Sequence, residues 1–84
     1  MSTTPSVRVG ANVRAEMARK GMTQTQLAGQ IGITQAQISK RLSGQIAFDV
    51  NELVAVAAAL DVTLPYLTMD ATERGTTEAG VVTR

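Results

Sequence analysis

The stretch AQISKRLS, residues 36–43, holds polar groups whose types and spacing could do chemistry. At about 100° per residue on a helix, Ile38 and Leu42 share one stripe. Ala36, Lys40 and Ser43 then point roughly the other way, with Gln37 and Ser39 flanking them. The outward face offers amides, hydroxyls and a cation, and no aromatic or large aliphatic group. Its chemistry is hydrogen bonding. A Gln amide can bond both N6 and N7 of adenine, and a Lys ammonium can reach guanine acceptors, so a helix of this kind fits the major groove of DNA. An ordinary solvated helix face has a similar composition, so the elements that hold this stretch in place decide between the two.

Those elements share a plan that occurs three times: MTQTQL at 22–27, ITQAQI at 33–38 and, more loosely, FDVNEL at 48–53. Each runs apolar, Thr or Asp, two free positions, Gln or Glu, apolar. The first N–H groups of a helix lack partners, a Thr or Asp at the N-cap can accept from them, and a Gln or Glu three residues on can bond back to the cap. The apolar residues on either side sit where a hydrophobic staple would close, pairing Met22 with Leu27, Ile33 with Ile38 and Phe48 with Leu53. The pattern therefore predicts helix starts at Thr23, Thr34 and Asp49, two of them only eleven residues apart.

Around these starts the chain reads as five helices. Helix 1 is expected from about Ser6 to Lys20, after a flexible N-terminus over residues 1–5, with Val9, Val13 and Met17 on one face and Gly21 ending it. Helix 2 runs to about Ile31, burying Leu27, Ala28 and Ile31, and Gly32 supplies the left-handed residue that closes it. Helix 3 reaches about Ser43, with Gly44 stopping it; helix 4 covers Asp49 to Leu60. A short fifth helix follows a Thr63 cap with Pro65 in its first turn and Val62, Leu64 and Leu67 on its apolar side. Residues 70–84, DATERGTTEAGVVTR, lack a helical period and read as a flexible tail, whose GVV could instead add a strand across a dimer. The domain is thus expected over residues 6–69 and all-α.

Composition narrows the function. With 84 residues and 44% hydrophobic content but 2% aromatic, the chain supports one small domain with an aliphatic core. It has no Cys and no His, which excludes a disulfide framework and a zinc site of the usual ligands. It also lacks the common acid, base and nucleophile sets, so an enzyme is not expected, and neither is a metal or cofactor. The longest apolar run, Leu53 to Leu60, is too short for a bilayer, and a soluble, cytoplasmic protein is expected. Charge is segregated. Up to Phe48 six cations face one carboxylate, a net +5; from Asp49 on, two cations face six carboxylates, a net −4. A cationic half beside an acidic one points to a polyanionic partner.

The segments GMTQTQLAGQIGITQAQISKRLSGQ, 21–45, and NELVAVAAALDVTLPYL, 51–67, resemble the helix-turn-helix family of phage repressors and Cro proteins, of the xenobiotic-response-element type. The resemblance implies a compact five-helix, lambda-repressor-like domain in which the first two caps start a scaffold helix and a recognition helix. It implies that Gln35, first in helix 3, reads a base edge while Ala36, Gln37, Ser39 and Lys40 line the groove. Gln24, at the start of helix 2, would bind a phosphate, which agrees with the preference of helix N-termini for anions. Thr34 and the segment from Ser43 to Gln45 would approach the DNA backbone, and Arg14 is a further backbone candidate. Two positions depart from the family. Where the recognition helix usually carries an apolar residue and then Glu, this chain has Arg41 and Leu42, and the Arg that pairs with that Glu on helix 1 is here Met17. An apolar contact is expected in place of the ion pair, which leaves Arg41 as a flank residue directed at phosphate.

The resulting expectation is a transcription regulator on double-stranded, pseudo-palindromic operator DNA, a Cro-type or short phage-like repressor acting by operator occupancy. A homodimer formed through helix 5 and the tail goes with it. Two other readings stay open: an antitoxin-type DNA-binding autoregulator, and a purely protein-binding helical module, against which the cationic first half argues.

Overall fold

The computed structural model describes residues 4–69, which form five helices: α1 (Pro5–Lys20), α2 (Gln24–Ile31), α3 (Gln35–Leu42), α4 (Val50–Leu60) and α5 (Leu64–Thr68). The expected tail and its GVV segment lie outside the described residues.

Each helix begins at a side-chain cap. Thr23, Thr34 and Asp49 all form complete capping boxes, with Gln26, Gln37 and Glu52 as the returning residues. Helix α1 starts one residue earlier than its periodicity predicts. Thr4 accepts from Val7 N and Pro5 takes the first helical position, where its missing N–H costs nothing. Gly21 and Gly32 close α1 and α2 at φ 68° and 79°, in the left-handed region a Cβ disfavours. Helix α3 ends at Leu42 with Ser43 as its cap, slightly short of the expected end.

The core is aliphatic. Val13, Leu27, Ile38, Leu42, Val56, Leu60 and Leu67 are fully buried, one or more from every helix. Each such burial favours folding by about 1.5–3 kcal/mol. Met22, Ile31, Ile33 and Leu53 pack partly buried against this cluster. Helix α2 packs on α3 and α4, and α1 packs on α3, α4 and α5. Two polar residues of α1 are buried with them, Asn12 and Glu16. Asn12 Nδ2 donates to Leu67 O at 2.8 Å and Met69 O at 2.5 Å, which ties α5 to α1. Glu16 lies 3.5 Å from the Arg19 guanidinium. Among the described residues no helix is long and apolar enough to cross a membrane.

Candidate nucleic-acid interface

The turn between α2 and α3 is short: Gly32, Ile33, then the Thr34 cap. The N–H groups of Gly32 and Ile33 both donate to Ala28 O, at 2.9 and 3.0 Å, so α2 is closed off just before the Thr34 cap starts α3. Ile38 and Leu42 then anchor α3 in the core. Their placement turns Gln35, Ala36, Gln37, Ser39 and Lys40 out together, and all five are exposed. This is one continuous solvent face with a buried stripe behind it, as the 3.6-residue period requires.

The hydrogen bonds within α3 limit what each group can offer. Gln37 Oε1 accepts from Thr34 N at 2.9 Å, and Thr34 Oγ1 accepts from Gln37 N at 3.1 Å. The box thus occupies the carbonyl end of the Gln37 amide and leaves its NH2 as a donor; the Thr34 hydroxyl hydrogen is likewise left for an acceptor. Among the described residues the Gln35 and Lys40 side chains enter no internal hydrogen bond, so both can be given to a ligand. Ser43 Oγ donates to Lys40 O at 2.9 Å and accepts from Gln45 N at 3.4 Å, folding the segment after α3 into a turn with Gly44 at φ 85°. Gln45 itself is exposed. Gln24, first in α2, is half-buried beside the exposed N-terminus of its helix. The free N–H groups and partial positive charge of such an end suit an anionic oxygen.

Two cations are placed differently from the sequence reading. Arg14 is exposed, but its Nη1 donates to Leu42 O, so its guanidinium covers the C-terminal end of α3, where a cation complements the helix dipole. Arg41 does not project from the flank toward a phosphate. Its Nε donates to Glu52 Oε1 at 2.9 Å and its Nη1 to Gln37 O at 3.0 Å, with the Arg41 and Glu52 side chains only 14% and 15% exposed. The Glu52 carboxylate, third residue of α4, draws the guanidinium inward. The predicted exchange of an ion pair for an apolar contact is therefore half of what happens. Met17 and Leu42 do share the core, and a separate ion pair joins α3 to α4. Sequence reasoning missed this pair, together with the Asn12 tie and the buried Glu16.

Solved structures with the same fold include the hypothetical transcription factor NHTF from Neisseria, with a TM-score of 0.82 at 24% identity over 88% of this chain and 85% of that one. The clp gene regulator ClgR from C. glutamicum gives 0.75 at 23% identity, over 79% and 86%. The restriction-modification controller protein C.AhdI from Aeromonas hydrophila gives 0.69 at 26% identity, over 73% and 92%. No curated protein matches the sequence closely enough to count as a relative. The helix-turn-helix model HTH_3 matches residues 13–67, from the middle of α1 to α5 and well over half of the chain, and on that match the chain belongs to the helix-turn-helix family.

Proposed function

We propose that this chain is a sequence-specific regulator of transcription that lays α3 in the major groove of operator DNA and represses by occupying a promoter, in the manner of a Cro-type or short phage-like repressor. The observation that carries the reading is the solvent face of α3. Gln35, Ala36, Gln37, Ser39 and Lys40 are all exposed and backed by the buried Ile38 and Leu42. In the family's docking geometry the second helix of the motif enters the groove with its N-terminal residues against base edges, while the first helix crosses the backbone. Gln35 and Gln24 are the first residues of α3 and α2, which supports giving them those two roles. C.AhdI, a controller protein at 26% identity, supports the regulatory part.

Binding as a homodimer through α5 and the C-terminal segment would present two copies of α3 about 34 Å apart, on one side of a pseudo-palindromic operator. Titration of a random-sequence duplex at several salt concentrations tests the reading. The log–log slope should correspond to several phosphates. A slope near zero contradicts DNA binding.

A further inference from the structure

The Arg41 guanidinium bridges the proposed recognition helix and α4. Its Nη1 holds the backbone oxygen of Gln37, one turn back on α3, and its Nε holds Glu52 Oε1 on α4. That carboxylate is itself fixed in place. Glu52 Oε1 also accepts from Asp49 N at 3.0 Å, and Asp49 Oδ1 accepts from Glu52 N at 2.7 Å. Helix α4 is anchored in turn by Val56, Ala57 and Leu60 in the core. A continuous chain of contacts therefore runs from the core through the α4 capping box and Arg41 to Gln37, whose side chain belongs to the exposed face of α3. An exposed ion pair would contribute little. This one is largely shielded from solvent, uses the planar fork of Arg at two donors and meets an acceptor already held by its helix, so little freedom is lost in forming it.

We propose that Arg41 is a positioning residue for base readout. Within the outward face that Ile38 and Leu42 define, its pairing with Glu52 sets the fine rotation of α3 about its own axis, and so the exact direction in which Gln37 and Lys40 leave the helix, and it does not act as a phosphate ligand. This assignment rests on α3 being the recognition helix. It goes beyond that reading by giving the orientation of α3 a cause outside the helix-turn-helix pair itself.

The test compares Arg41→Gln, Glu52→Gln and the double variant in the full chain. Each is titrated against an operator duplex selected from a random pool and against random duplex across salt, with thermal melting to verify folding. Each single variant is expected to lower the operator-to-random affinity ratio by about tenfold, the scale of one well-placed base contact. The double variant should be no worse than either single, as for two groups acting as one unit. The salt slope on random duplex should stay at the wild-type value. A slope that falls by about one in Arg41→Gln, with the ratio intact, would make Arg41 a phosphate ligand and overturn the assignment. So would a wild-type ratio in all three variants. If Arg41→Gln does not melt cooperatively, Arg41→Lys, which keeps the charge but loses the fork, should fold and still show a reduced ratio; an unchanged ratio there also overturns the assignment. Wild-type protein with no salt-dependent binding to either duplex would overturn the reading of α3 and this assignment together. Normal wild-type binding with unaffected variants overturns the assignment alone.

Discussion

Gly10 of α1 meets the Leu42 carbonyl at the end of α3 backbone to backbone: a Cβ at position 10 would stand 2.8 Å from the Leu42 carbonyl carbon and 2.9 Å from Arg41 O. No flexible side chain lies there to give way, so α1 and α3 would have to separate. Gly10→Ala gains about 1 kcal/mol of helix propensity, yet overpacking costs about 1–3 kcal/mol. We expect a net loss of stability, read as a lower urea midpoint at unchanged slope. A raised midpoint would show that the two helices are not in this contact.

Asn12 is the tie between α1 and α5. Asn12→Ala would leave Leu67 O and Met69 O without their donor, and an unsatisfied buried acceptor costs about 1–3 kcal/mol. Hydrogen exchange should locate the effect, with amides of α5 losing more protection than those of α2. Equal losses across both helices would argue that α5 does not depend on this bond.

Much of the frame could be read from the amino acids because it is written locally. The boxes at Thr23, Thr34 and Asp49 and the closing glycines 21 and 32 each need only residues within one turn. Ile38 and Leu42 fix the buried side of α3, and that fixes which of its polar residues face outward. The start of α1 was less legible because Thr4 has Val7, not Gln or Glu, three residues on, so half of the box signal is missing. The end of α4 carries no glycine; Asp61 takes the left-handed conformation at φ 58° instead. What local pattern cannot supply is a partner across a loop. Asn12 finds acceptors more than 50 positions away, and Gly10 in the sequence is merely a poor helix former. Arg41 meets Glu52 across the turn that follows α3, eleven positions on, so its cationic character alone pointed outward to phosphate rather than inward to α4.

Thr34 separates a structural from a binding role. Its hydroxyl oxygen serves the α3 box, so Thr34→Ala should cost about 1 kcal/mol of stability. Thr34→Ser keeps the oxygen and should melt close to wild type. A destabilised Ser variant would mean that the methyl group, not the cap, holds the helix start.

In the proposed binding mode α3 reads bases while the start of α2 grips the backbone, and base contacts alone carry sequence information. The most direct measurement is the operator-to-random affinity ratio of Gln35→Ala beside that of Gln24→Ala. Gln35 leads the exposed face of α3, and its loss should cost roughly 1–3 kcal/mol on the operator, relax preference at one base pair in each half-site and leave random-duplex binding nearly unchanged. Gln24→Ala should weaken both duplexes alike and keep the ratio. Both variants should melt as wild type, since neither side chain belongs to the core. A Gln35→Ala protein that keeps the full operator preference, or that loses its fold instead, would contradict a base-reading role for the start of α3.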